Sequence, residues 1–142
     1  MNRIVLAGLA LGLLRNCDAA GPLPSPGKIS GTWGGDNAGL IADDTSAHAH
    51  IGCSYGNVHQ QIVPDGLGRF DVPGEYNITA FPVDRGILHP ARFTGLVNGS
   101  TMTLLVTLTD TAVTRGPVQL TFGQDPKLGP CPICLRKRGG GR

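Results

Sequence analysis

Aromatic side chains are scarce in this chain, only 5% of its residues, and charged ones make up 15%, against ~25% in an average soluble domain. A core with few rings has to be built from Val, Leu, Ile and Ala. The net charge is +2, and four of the basic groups, Arg136, Lys137, Arg138 and Arg142, fall in the final seven residues. The body is therefore near neutral, which excludes the basic footprint of a nucleic-acid binder. Also missing are a Gly-x-Ser-x-Gly nucleophile elbow, a Gly-rich phosphate loop ahead of a helix, and a His-Glu-x-x-His zinc helix. Most carboxylates stand in turn signals such as PDGLG and LTDTA, and no two are paired as general acid and base. The expectation is a protein that is not an enzyme and carries no cofactor.

Long hydrophobic runs are absent too. The apolar run Ile4–Leu14 has eleven residues, whereas a helix needs about 20 to cross a bilayer. Preceded by Arg3, it matches the core of an export signal, expected over residues 1–21. Cys17, three residues after Leu14, stands where a bacterial lipoprotein carries its lipid-acceptor cysteine. Arg15 and Asn16 occupy positions that are normally small. Cleavage after Gly21 would remove Cys17 instead, and the sequence leaves both outcomes open. A Pro-rich tether, GPLPSPGK, gives residues 22–28 as a linker; a folded domain is expected over 29–134 and a basic disordered tail over 135–142. The expected location is the periplasm, the outer membrane through a lipid anchor, or the outside of the cell. Contact with a membrane is expected only through such an anchor.

What the chain has in quantity is turn formers, with 22 Gly and 11 Pro between short apolar segments. ISGTW (29–33), AGLIA (38–42), SAHAHIGC (46–53), VHQQIV (58–63), RFDV (69–72), EYNITAF (75–81), ARFTGLV (91–97) and PVQLTF (117–122) read as strands, with SYGN as a turn. Asn98-Gly99 marks a tight hairpin. After it Met102, Leu104, Val106 and Leu108 alternate with Thr101, Thr103, Leu105, Thr107 and Thr109, the period of a half-buried strand. From residue 22 onward, no window holds helical spacing without a Gly or Pro cutting it. The fold class is all-β: an antiparallel meander of about eight strands closed into a barrel, which removes exposed edges. A two-sheet sandwich is the alternative.

In HAHIGC (48–53), alternation sends Ala47, Ala49, Ile51 and Cys53 to one face and His48 and His50 to the other. Histidines two apart on a strand can ligate one metal ion, and His59, beyond the SYGN segment, is the candidate third ligand. Asp43 and Asp44 are near in sequence. Solvated surface imidazoles are the preferred reading. In an exported protein paired thiols are usually oxidised. Cys53 is expected to bridge Cys131 or Cys134, closing a loop of about eighty residues worth roughly 3–4 kcal/mol. CPIC (131–134) has the spacing of a redox pair but no helix behind it. A zinc site composed of His48, His50, Cys131 and Cys134 uses suitable atoms and is the less favoured reading.

GTWGG (31–35), HIGC (50–53), DGLGRFDVPGEY (65–76), PARFTGLVNGSTMTL (90–104) and QLTFG (119–123) running to Cys131 form a set. As a set it resembles small lipoprotein-like β proteins of the bacterial envelope, which combine an export signal, a G-x-W-G-G opening and a terminal Cys. The resemblance covers roughly 29–131 and implies fold and compartment, but no activity. CPIC departs from the single terminal Cys of that pattern. The GTW opening is also similar to those of lipocalins and avidins, which implies that Trp33 packs across a barrel floor.

The functional expectation is an exported, non-enzymatic envelope protein that binds a small molecule or another envelope protein. Candidate inward residues around a ligand cavity are Trp33, Leu40, Ile51, Phe70, Tyr76, Phe93, Leu104, Val106 and Phe122. If Ala47 and Ala49 face large side chains, the interior is filled and binding must be external. The alternative is a metal-binding or metal-dependent protein using His48, His50 and His59.

Overall fold

The computed structural model describes residues 27–131. The expected export signal, Cys17, most of the tether, Cys134 and the basic tail lie outside the described residues. Within them the chain forms eight strands: β1 (Gly31–Gly35), β2 (Ala38–Ala42), β3 (Ala47–Ile51), β4 (Ser54–Val58), β5 (Arg69–Asn77), β6 (His89–Asn98), β7 (Thr101–Leu108) and β8 (Thr114–Phe122). Each strand pairs antiparallel with the next, and β8 returns to β1, so the sheet is a closed up-and-down barrel. The sandwich alternative is thereby set aside.

Period-two sequence carries the wall. Along β7 Met102, Leu104, Val106 and Leu108 are buried, while Thr101 is exposed and Thr103, Leu105 and Thr107 are half-buried. The turn after β6 is Gly99-Ser100, with positive φ at Gly99 alone, as a type II′ hairpin requires. Gly52, also at positive φ, opens the β3–β4 turn in the same way.

Three sequence assignments need correction. SYGN is not a turn: Ser54–Val58 is strand β4, alternating buried and half-buried, and the turn lies one step earlier at Gly52-Cys53. Gly56 faces the interior, where a Cβ would collide with the Tyr76 ring and the Glu75 carbonyl. VHQQIV contributes only Val58 to a strand. The rest opens a loop whose Ile62, fully buried, closes the lower end of the barrel with Ile29. RFDV and EYN are one strand running straight through Pro73-Gly74. Proline is tolerated there because β4 pairs only with Glu75–Asn77, so Pro73 has a strand neighbour on one side alone.

The interior is filled. Small Ala38, Ala42, Ala47 and Ala49 on β2 and β3 face Tyr76, Phe93, Met102, Leu104, Val106 and Leu120, all essentially buried. Small side chains on one wall let β3 come close enough to touch β8 across the barrel. Interiors of eight-stranded barrels are either packed in this way or hold one small ligand; this one is packed.

Candidate functional site

The β1–β2 and β3–β4 turns, the loop 78–88 and the start of β8 surround the upper end of the barrel. They enclose an open cavity of about 480 Å³, within the ~300–1,000 Å³ usual for small-molecule sites. Ile51, Ile78 and Phe81 form apolar walls; Asn37, Gly52, Cys53 and Ser54 form the rim and floor, and Arg115 enters from β8. Arg115 pairs with Val106, whose side chain is fully buried, so the guanidinium shares the inward face. This register follows a bulge between Leu104 and Val106, opposite Gly116-Pro117. Reading the last strand from Pro117 missed it, although Gly-Pro inside an apparent strand is itself a bulge signal.

A hydrogen-bonded pair seals the cavity from the core. Ser54 Oγ donates to the Ile51 carbonyl at 2.6 Å and lies 2.9 Å from the Tyr76 hydroxyl. With the serine proton committed, Tyr76 is the donor. Burial pushes the Tyr76 pKa up, against the opposing pull of Ser54 and the positive charge of Arg115. The phenol stays protonated as a fixed plug.

Asn37 ties the rim together. Its carbonyl accepts the Gly52 N–H, its N–H donates to the Lys127 carbonyl, and its side-chain oxygen accepts the Gly129 N–H at 3.4 Å. Residues 124–131 form a strap that turns back after β8 and climbs the outside of β1 and β2. Gly34 and Gly39 exist for this strap: a Cβ on Gly34 would meet the Gln124 and Asp125 backbone, and one on Gly39 would strike Pro126. At the mouth the strap is locked by the Cys53–Cys131 disulfide, with Cα atoms 5.6 Å apart across 78 residues. Of the two expected partners, Cys131 is thus the one joined to Cys53. Its sulfur is not available to a CPIC redox pair or to a composite zinc site while that bond stands. Cys53 itself lies in the turn, half-buried, rather than at the end of an inward-facing strand register.

The loop 78–88 that carries Phe81 is pinned by Asp84. Its carboxylate accepts from the Tyr55 hydroxyl at 2.9 Å, the Asn77 amide at 2.8 Å and the Gly86 N–H at 2.8 Å. These bonds, that of Gly86 first, hold the Asp84 pKa below the usual carboxylate value. Asn77 is fully buried, and its side-chain oxygen accepts the N–H and hydroxyl of Thr79. Asn77, Ile78 and Thr79 thus form a turn held by the Asn77 side chain.

On the outer wall His48 is exposed and His50 half-buried, their rings 4.8 Å apart, with Tyr55 5.7 Å from His50. His48 Nδ1 is 2.6 Å from the Asn57 side-chain oxygen, so that nitrogen is the donor. Burial first, and the neighbouring His48 second, push the His50 pKa down. His59 turns to Glu75, 2.9 Å away. Asp43 caps its own turn by accepting from Thr45 and Ser46, and Asp44 pairs with Lys28. No group of three or more His, Cys, Asp or Glu converges as a metal site among the described residues.

Of the residues expected around a cavity, only Ile51 lines the mouth. Leu40, Phe70, Tyr76, Phe93, Leu104 and Val106 are packed core. Trp33 is core as well, its indole N–H donating to the Ser30 carbonyl. Phe122 is the clear departure: the residue is 52% exposed. It keeps the inward parity of Leu120, but β7 begins opposite Thr121, so Phe122 overhangs the lower end, lying over Gly31 and edge-to-face with Trp33 at 5.2 Å. No known protein family, curated protein or solved structure matches the chain.

Proposed function

We propose that this is an exported, non-enzymatic binding protein of the cell envelope whose small-molecule ligand sits at the barrel mouth rather than inside the barrel. One observation carries the reading. The interior is filled and plugged by Tyr76 and Ser54, while the cavity above them is open, apolar-walled and furnished with a few polar groups. The disulfide supports an oxidising compartment. Filling the cavity with Ile51→Trp should abolish ligand capture without loss of the fold. Native mass spectrometry of protein recovered from an oxidising expression compartment reads the bound species directly. Equal ligand occupancy in wild type and variant would end the mouth reading.

A second reading, a metal-binding or metal-dependent protein, draws on the close rings of His48 and His50. Elemental analysis of the purified protein separates the two. The expected result is no stoichiometric zinc or copper, and a melting temperature that chelator leaves unmoved in both wild type and His48→Ala/His50→Ala.

A further inference from the structure

Among the described residues the mouth holds one cation with no anion to answer it. Two other strand arginines lie on the outer wall, and each has a carboxylate: Arg69 with Asp65 at 3.0 Å and Arg92 with Asp71 at 2.8 Å. Arg115 has the inward position and no ion pair among the described residues. Among the described residues its guanidinium makes one hydrogen bond, from Nη1 to the Thr114 carbonyl at 3.0 Å. No Asp or Glu among the described residues lines the cavity. A guanidinium has five N–H donors in a planar fork, so most of its hydrogen-bonding capacity is unspent in a half-buried place walled by Ile51, Ile78 and Phe81. Removing such a charge from water without a partner is costly, and a carboxylate meeting the fork supplies the missing partner in bidentate geometry.

We infer that the mouth selects amphipathic monoanions, with the acidic head on Arg115 and the apolar part against Ile51, Ile78 and Phe81. One guanidinium balances one negative charge, and three apolar walls reward a hydrocarbon or ring. Asn37 at the rim, whose side-chain oxygen is turned to the Gly129 N–H, offers its amide N–H to a second oxygen of the head. The inference rests on the mouth cavity being the binding site.

Calorimetric titration of the full chain with octanoate, octanol and octylammonium tests it, using wild type, Arg115→Gln and Ile51→Trp. Octanoate should bind wild type at least about tenfold tighter than octanol. That advantage should vanish in Arg115→Gln, with octanol binding unchanged. Added salt should weaken octanoate and leave octanol alone, a readout that needs no variant. Octanol matching octanoate in wild type, or octanoate indifferent to Arg115→Gln and to salt, overturns the anion selectivity and leaves the cavity standing. Failure of all three probes, or binding that survives Ile51→Trp, overturns the mouth site itself.

Discussion

The two halves of the barrel are built differently. Strands β1–β4 have five residues each, with Gly and Ala at many inner and outer positions, whereas β5–β8 run to eight to ten residues and carry most of the large core side chains. The long half is held by what it buries. The short half is held by what lies across it: the strap 124–131 on Gly34 and Gly39, and the disulfide at its end. A small sheet with little to bury can be kept in place by a covalent clasp, as compact exported domains often are.

Removing Phe93 attacks the long half at its centre. The ring is fully buried against Tyr76 at 6.0 Å and covers Gly56 and Gly74. Phe93→Ala should cost about 3–5 kcal/mol in urea unfolding. A loss under ~1 kcal/mol would mean the long half is not where stability resides. Next comes Cys53→Ser, with an expected loss of about 2–4 kcal/mol. Hydrogen exchange should quicken in β1 and β2 well before β6 and β7. Equal quickening around the barrel would break the distinction between the halves. Gly39→Ala, which forces Pro126 off the wall, should cost about 1–3 kcal/mol. Gly27→Ala, with open space around it, should cost nothing measurable.

The smallest measurable effect is a pH slope. His50 in the fold has a pKa below its ordinary value of 6.5. Above that value the imidazole is neutral folded or unfolded, and its environment costs nothing. As pH falls through it the unfolded chain takes the proton first, so stability declines until folded His50 titrates too. Urea midpoints between pH 7.5 and 5 should therefore fall more in wild type than in His50→Gln. The difference between the two curves isolates His50 from His59 and His89, which lie beside Glu75 and Asp110.

The barrel was legible because period-two alternation and the glycine of the β6–β7 hairpin are local signals, although the turn is Gly99-Ser100 and Asn98 belongs to β6. So was the outward face of His48, since Ala47 and Ala49 leave no other register. SYGN was misread because its composition imitates a turn. Its place in a strand is decided by Tyr76 and Phe93, which reach Gly56 from β5 and β6. The strap was illegible for the same reason: nothing near QDPKLGP announces that Pro126 will rest on Gly39. Arg115 escaped notice because its direction depends on one bulge, and a shift of one residue there exchanges inside for outside.

The Ile29 N–H bonds to the Ile62 carbonyl at the closed pole of the barrel, and Cys131 reaches Cys53 at the open one. The described chain thus enters the barrel at the pole opposite the one where Cys131 leaves it. A reporter dye carried at the Cys131 end of the strap would therefore report on the mouth, and one carried at the Ile29 end on the opposite pole.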